Sequence, residues 1–148
     1  MGADADMNAL NILRVFQGRP WNRDRFLQVR PSCYSMLIDE EIRLLYWLAS
    51  EYWTGAGEII DAGAFIGGST NALAQGLIDS GRPGTVRSFD LFVCGRFEGG
   101  HEALGSPGVG ASFRDVFDRN TTDVIHRVEV NEGDVCGFPF RNPVEILF

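Results

Sequence analysis

The chain reads as an α/β protein built on a doubly wound parallel sheet, and three stretches predict it. In the first, Glu58-Ile59-Ile60-Asp61 leads through Ala62-Gly63-Ala64-Phe65-Ile66-Gly67-Gly68 into Ser69-Thr70-Asn71-Ala72-Leu73-Ala74-Gln75. That is a short apolar strand, a glycine turn and a helix. In the second, the alternating run Thr85-Val86-Arg87-Ser88-Phe89 ends at Asp90. In the third, Arg127-Val128-Glu129-Val130 leads into Gly133-Asp134. Strands that alternate with helical segments and each end at an acid bring their acids to one rim of a sheet.

The remaining elements follow in order. Met1 to Asp6 carries no structural signal, and Asn8 to Gln17 predicts a short amphipathic helix burying Leu10, Leu13 and Phe16, stopped by Gly18 and Pro20. Trp21 to Pro31 is polar and arginine-rich. It reads as an irregular arm that packs Trp21 and Phe26 on the core, with a flap over a ligand as the alternative. Asp39 is the expected cap of a helix through Ile42, Leu45, Tyr46, Leu48, Ala49 and Tyr52, closed by Gly55 and Gly57. Its aromatic stripe is read as core. The helix after the glycine turn runs from Ser69 to Asp79 with Leu73, Leu77 and Ile78 on one face, and Gly81-Arg82-Pro83-Gly84 stops it. Phe92 to Gly110 is long and glycine-rich, the kind of connection that is functional or mobile. Phe113, Val116 and Phe117 predict a helix from Ser112 to about Arg119, and Pro143 to Phe148 a fourth strand. The expected strand order is 3-2-1-4, with residues 1–38 as an N-terminal helix and arm and 39–148 as a ligand-binding domain.

The glycine turn suggests its own ligand. Gly63 can adopt angles closed to other residues, and Gly67 and Gly68 leave the main chain uncovered. The helix behind them starts with unpaired N–H groups, joined by the Ser69 and Thr70 hydroxyls, which makes a seat for an anion. Asp61 carries the opposite sign and suits an ammonium group. Asp90, at the second strand end, is positioned to accept from ribose hydroxyls. Phe92, beside it, reads equally as a cover for an adenine face or as core. With Asp134 on the same rim, these residues describe a pocket for adenosine joined to an amino acid.

Composition narrows the alternatives. The 148-residue chain has a net charge of −7, which argues against a nucleic-acid surface. All 13 basic residues are arginine, which removes a Walker-type phosphate loop and any Schiff-base or general-base lysine. Cys33, Cys94 and Cys136 are widely spaced and odd in number, which reads as reduced thiols in a cytoplasmic protein rather than a disulfide or zinc site. His101 and His126 have no second ligand at helical spacing, so no metal site is expected. No apolar run approaches a membrane span of ~20 residues.

Asp61-x-Gly63-x-x-x-Gly67, Asp90 and Gly133-Asp134 resemble the first three motifs of class I S-adenosylmethionine-dependent methyltransferases. The string Gly63-Ala64-Phe65-Ile66-Gly67-Gly68-Ser69 is similar to the glycine loop of their catechol and macrocin O-methyltransferase-like branches. The resemblance covers roughly Asp39 to Phe148. It implies a Rossmann-like fold and S-adenosylmethionine held by Asp61, Gly63, Ala64, Phe65, Gly67, Ser69, Thr70, Asp90, Leu91, Phe92, Asp134 and Val135. It also implies O- or N-methylation of a small-molecule acceptor, and that the loop holding Tyr34 and Ser35 can reach the cofactor.

In that family an acidic motif follows the fourth strand, and three more strands complete the sheet. The chain is therefore expected to be the cofactor half, cut ahead of its chemistry, with no catalytic residue assigned. Its apolar edge would need a second copy or the missing half to cover it. Two alternatives remain: an NAD(P)-binding oxidoreductase, against which the absent Gly-x-Gly-x-x-Gly spacing and Asp61 both count, and a non-catalytic fragment that keeps the fold.

Overall fold

The computed structural model describes residues 12–148. Four short strands form from the apolar runs: β1 (Glu58–Ala62), β2 (Val86–Asp90), β3 (Val128–Glu132) and β4 (Val144–Leu147). They pair in parallel in the order β3-β2-β1-β4, as expected from the sequence. With helices α1 (Asp39–Trp47), α2 (Gly68–Asp79) and α3 (Arg114–Asn120) flanking the sheet, the chain is an α/β protein of Rossmann-like, doubly wound type.

The pleat of the strands decides what each face does. Ile59 and Val86 pack with Ile42, Leu45, Leu73 and Leu77 of α1 and α2 in the main core. Asp61 and Ser88, two residues further along the same strands, face the same layer and meet Thr70 of α2. The intervening residues Ile60, Arg87 and Phe89 face the opposite side. There the connection from β3 to β4 crosses the sheet, with the Phe138 ring 5.1 Å from that of Phe89 and the Pro139 carbonyl accepting from Arg87.

Helix α1 starts at Asp39, but its cap is Ile38 rather than Asp39. The Glu41 carboxylate accepts from the Ile38 N–H at 2.9 Å, which leaves Asp39 to face the positive end of the helix from inside the first turn. The expected single helix through Tyr52 instead widens into a π-helical turn, Leu48–Tyr52. At Gly76 a Cβ would lie 2.5 Å from the Tyr46 carbonyl oxygen, so α1 and α2 approach nearly backbone to backbone.

The N-terminal arm is fastened to α1. Residues 12–17 are helical, and the rest of the expected helix, including Leu10, lies outside the described residues, as does the stretch Met1 to Asp6. Leu13 is 56% exposed, not buried, because the helix meets the domain through Phe16. That ring sits 5.7 Å from Trp21, 6.0 Å from Trp47 and 5.8 Å from Tyr52. Two 3₁₀ turns, Pro20–Asn22 and Asp24–Phe26, bury Trp21 and Phe26, and Glu40 accepts from Arg19, Trp21 and Asn22. Residues 21–31 pack on α1 through Trp21 and Phe26 and line neither cavity described below.

A charge network closes the end of the sheet away from the strand tips. Arg87 and Glu58 pair at 2.7 Å with side chains only 6% and 8% exposed. Glu58 also accepts from the Arg141 and Asn142 N–H groups. Burial pushes the Glu58 carboxyl up, but these donors outweigh it and hold the group below its usual range. Glu129 lies 3.4 Å from Arg87 Nε and takes a two-pronged contact from Arg141 at 2.8 Å. The network pins residues 139–142 just before β4.

Candidate functional site

Two adjoining cavities open at the carboxyl ends of the strands, where ligands sit in open α/β sheets. The larger, of about 600 Å³, is lined by Met36, Ala62, Gly63, Phe65, Phe89, Asp90, Leu91, Val93, Phe97, Glu98, Phe113, Gly133, Asp134 and Val135. A volume of that size suits a small-molecule ligand. The smaller, of about 100 Å³, lies at the start of α2 between the 34–37 segment and Gly63, Ala64, Phe65, Gly68 and Ser69, with Phe148 on its wall.

Asp90 ties the site together. Its Oδ2 accepts from the Phe65 N–H and its Oδ1 from the Phe92 N–H, both at 2.8 Å. Phe65 and Phe92 have φ of 47° and 50°, unfavourable for bulky residues, and one carboxylate anchors both. A carboxylate offers about four acceptor positions, so two remain for a ligand. Asp134 lines the same cavity, just before the turn Val135–Gly137, and accepts from the Cys136 N–H at 2.9 Å.

Asp61 does not join them. It is fully buried and receives the Ser69 hydroxyl at 3.0 Å and the Thr70 hydroxyl, which also contacts Ser88. Burial pushes its carboxyl up to about 6, against the Thr70 and Ser69 hydroxyls that lower it, and the Asp90 charge adds to the rise. The expected ammonium partner is thus turned inward, and the two hydroxyls expected to serve an anion are spent on Asp61. Phe92 is likewise buried, its ring 5.7 Å from Phe113 and 5.0 Å from Phe117, so it is core and covers no ligand face.

The glycine turn divides in the same way. Gly63 has φ of 87° and nothing within 4 Å of the Cβ it lacks, so a ligand can approach its backbone. Gly67 also needs its left-handed φ of 97°, but the space beside it is filled by Thr121. Against Gly68 lies Ser35, 2.6 Å from where a Cβ would be. The N–H groups of Gly68, Ser69 and Thr70 have no hydrogen-bond partner among the described residues.

Gly68→Ala is therefore expected to destabilise the chain, even though alanine usually gains about 1 kcal/mol over glycine within a helix. The clash with Ser35 costs about 1–3 kcal/mol. In a Ser35→Gly background the same change should become stabilising, and denaturant midpoints of the four proteins check this reversal.

No family model and no curated protein matches the chain. Its site must be read from its own residues. Those that the motifs did not reveal come from the 34–37 segment and from the loop after β2, which contains the 3₁₀ turns Glu98–Gly100 and Glu102–Leu104. Met36 and Phe97, each 63% exposed, and Val93 give the larger cavity an apolar rim. The unusual length of the loop after β2 was the sequence signal for Val93 and Phe97, and the resemblance had pointed to the segment of Tyr34 and Ser35 but not to Met36. No helix among the described residues is long and apolar enough to cross a membrane.

Proposed function

We propose that the chain binds S-adenosylmethionine and belongs to an enzyme that methylates a small molecule at oxygen or nitrogen. The observation that carries this reading is the charge of the larger cavity: Asp90, Glu98 and Asp134 line it, and no arginine or histidine does. A nucleotide phosphate there would face three acids without a counter-charge, whereas a ligand with sulfonium and ammonium groups and one carboxylate is attracted. That contrast favours a methyl donor over NAD(P), against which the spacing of the glycine turn also counts.

The remaining residues fit the same ligand. The two spare acceptor positions of Asp90 suit the ribose hydroxyls, and Leu91 and Val135 offer apolar contact to adenine. The open side of Gly63 admits the sulfur-bearing chain, and the unpaired N–H groups of Gly68 and Ser69 suit its carboxylate. Asp61 does not meet the ammonium in this reading; it holds the first turn of α2 in place through Ser69 and Thr70. When bound, the group supplies an electrophilic methyl on sulfur, and alignment with the acceptor can supply about 7–11 kcal/mol of barrier reduction. The rim of Met36, Val93 and Phe97 favours an acceptor with an apolar face.

Titration calorimetry of the purified chain tests the reading. S-adenosylmethionine should bind, its neutral demethylated product more weakly, and NAD should give no heat. Binding of NAD without S-adenosylmethionine would replace the proposal with a dehydrogenase.

A further inference from the structure

His101 joins the two walls of the site although the motifs leave it without a role. It lies in the loop after β2, and its Nε2 is 3.3 Å from the hydroxyl of Tyr34, 67 residues earlier in the chain. Its ring meets Tyr34, Phe65 and Phe97 edge-on, at centroid distances of 5.1, 5.6 and 5.6 Å. Phe65 and Phe97 line the larger cavity, and Tyr34 and Phe65 the smaller.

The hydrogen bonds of the ring settle its tautomer. Nδ1 accepts from the Ala103 N–H at 3.2 Å, so in the neutral imidazole the proton is on Nε2. Nε2–H then donates to the tyrosine oxygen, and the hydroxyl proton of Tyr34 has no acceptor among the described residues. Tyr34 borders the small cavity together with Gly68 and Ser69, whose N–H groups are also unpaired. We infer that His101 is a positioning residue: it clasps Tyr34 across the site and keeps that hydroxyl as a third donor for the ligand's carboxylate, beside the start of α2. The inference rests on the proposed ligand, with the carboxylate end in the small cavity.

The test compares two nucleosides that differ at that end. S-adenosylhomocysteine carries the amino-acid carboxylate and 5′-methylthioadenosine does not. Tyr34→Phe and His101→Ala should each weaken S-adenosylhomocysteine about threefold to tenfold, the range a single net hydrogen bond provides. The double variant should be no weaker than either single one, and His101→Gln, which keeps an N–H donor, should recover part of the loss. Methylthioadenosine should bind all these proteins alike. Equal losses on both nucleosides, or none on either, overturn the inference.

A ligand-free measurement separates this from failure of the functional reading. Trypsin cleavage after Arg96, in the clasped loop, should be faster in Tyr34→Phe and His101→Ala than in the wild-type chain. If the wild-type chain binds neither nucleoside, the functional reading falls together with the ligand assigned to Tyr34. Unchanged cleavage at Arg96 rejects the clasp itself.

Discussion

Arg87→Met is expected to lower the stability of the folded chain by about 3–5 kcal/mol, because it strands the carboxylate of Glu58 in a buried position. For a domain near this size that corresponds to a fall in melting temperature of about 6–20 °C. The pair is 2.7 Å long with side chains only 6% and 8% exposed, and without the guanidinium Glu58 keeps only the Arg141 and Asn142 N–H groups as partners among the described residues. The second partner distinguishes a broken ion pair from lost packing: adding Glu58→Gln to Arg87→Met should recover much of the loss, since no bare charge then remains. Thermal melts of the three proteins decide it. A fall under about 1 kcal/mol for Arg87→Met would mean that the pair behaves like a surface salt bridge.

The second large effect is a pH dependence traced to Asp61. Its carboxyl is raised from 3.8 to about 6 in the folded chain, so between those values the folded state holds a proton that the unfolded state has released. Stability from this group is fully present below pH 3.8 and is lost as pH rises through 6. The span of roughly two pKa units corresponds to about 3 kcal/mol. Asp61→Asn removes the titration while keeping a side chain able to bond the Ser69 and Thr70 hydroxyls. Urea midpoints at several pH values from 4 to 7 should show the wild-type chain losing stability relative to Asp61→Asn as pH increases. A constant difference between the two would mean that Asp61 titrates as an ordinary carboxylate.

Much of the fold was legible because its signals are local. Each strand is a short apolar run bounded by turn residues, and the parallel order follows from βα units repeating along the chain. Asp90 and Asp134 were found on the rim because Asp90 is the last residue of β2 and Asp134 lies just past the end of β3. Asp61 belongs to the strand itself. It shares a face with Ile59, two residues earlier, and Ile59 is core, so period-two alternation already directs the Asp61 side chain toward α2. Reading Asp61 by its place in a motif concealed this.

The rest of the site depends on contacts between distant segments, which no window along the chain can reveal. Tyr34 meets His101 and Ser35 fills the space over Gly68 only because the 34–37 segment folds back across the start of α2. Phe92 was ambiguous for a related reason. Its fate was decided by Phe113 and Phe117, more than twenty positions later, which take its ring into a second core.

Under the proposed function, the acids that line the larger cavity would bear on turnover as well as on capture. In the proposed reaction, donating a methyl group would convert a sulfonium to an uncharged thioether, so the attraction between the acids and the donor would weaken as the transfer is completed. Departure of the spent nucleoside would then be driven by the reaction itself, without a separate motion to expel it.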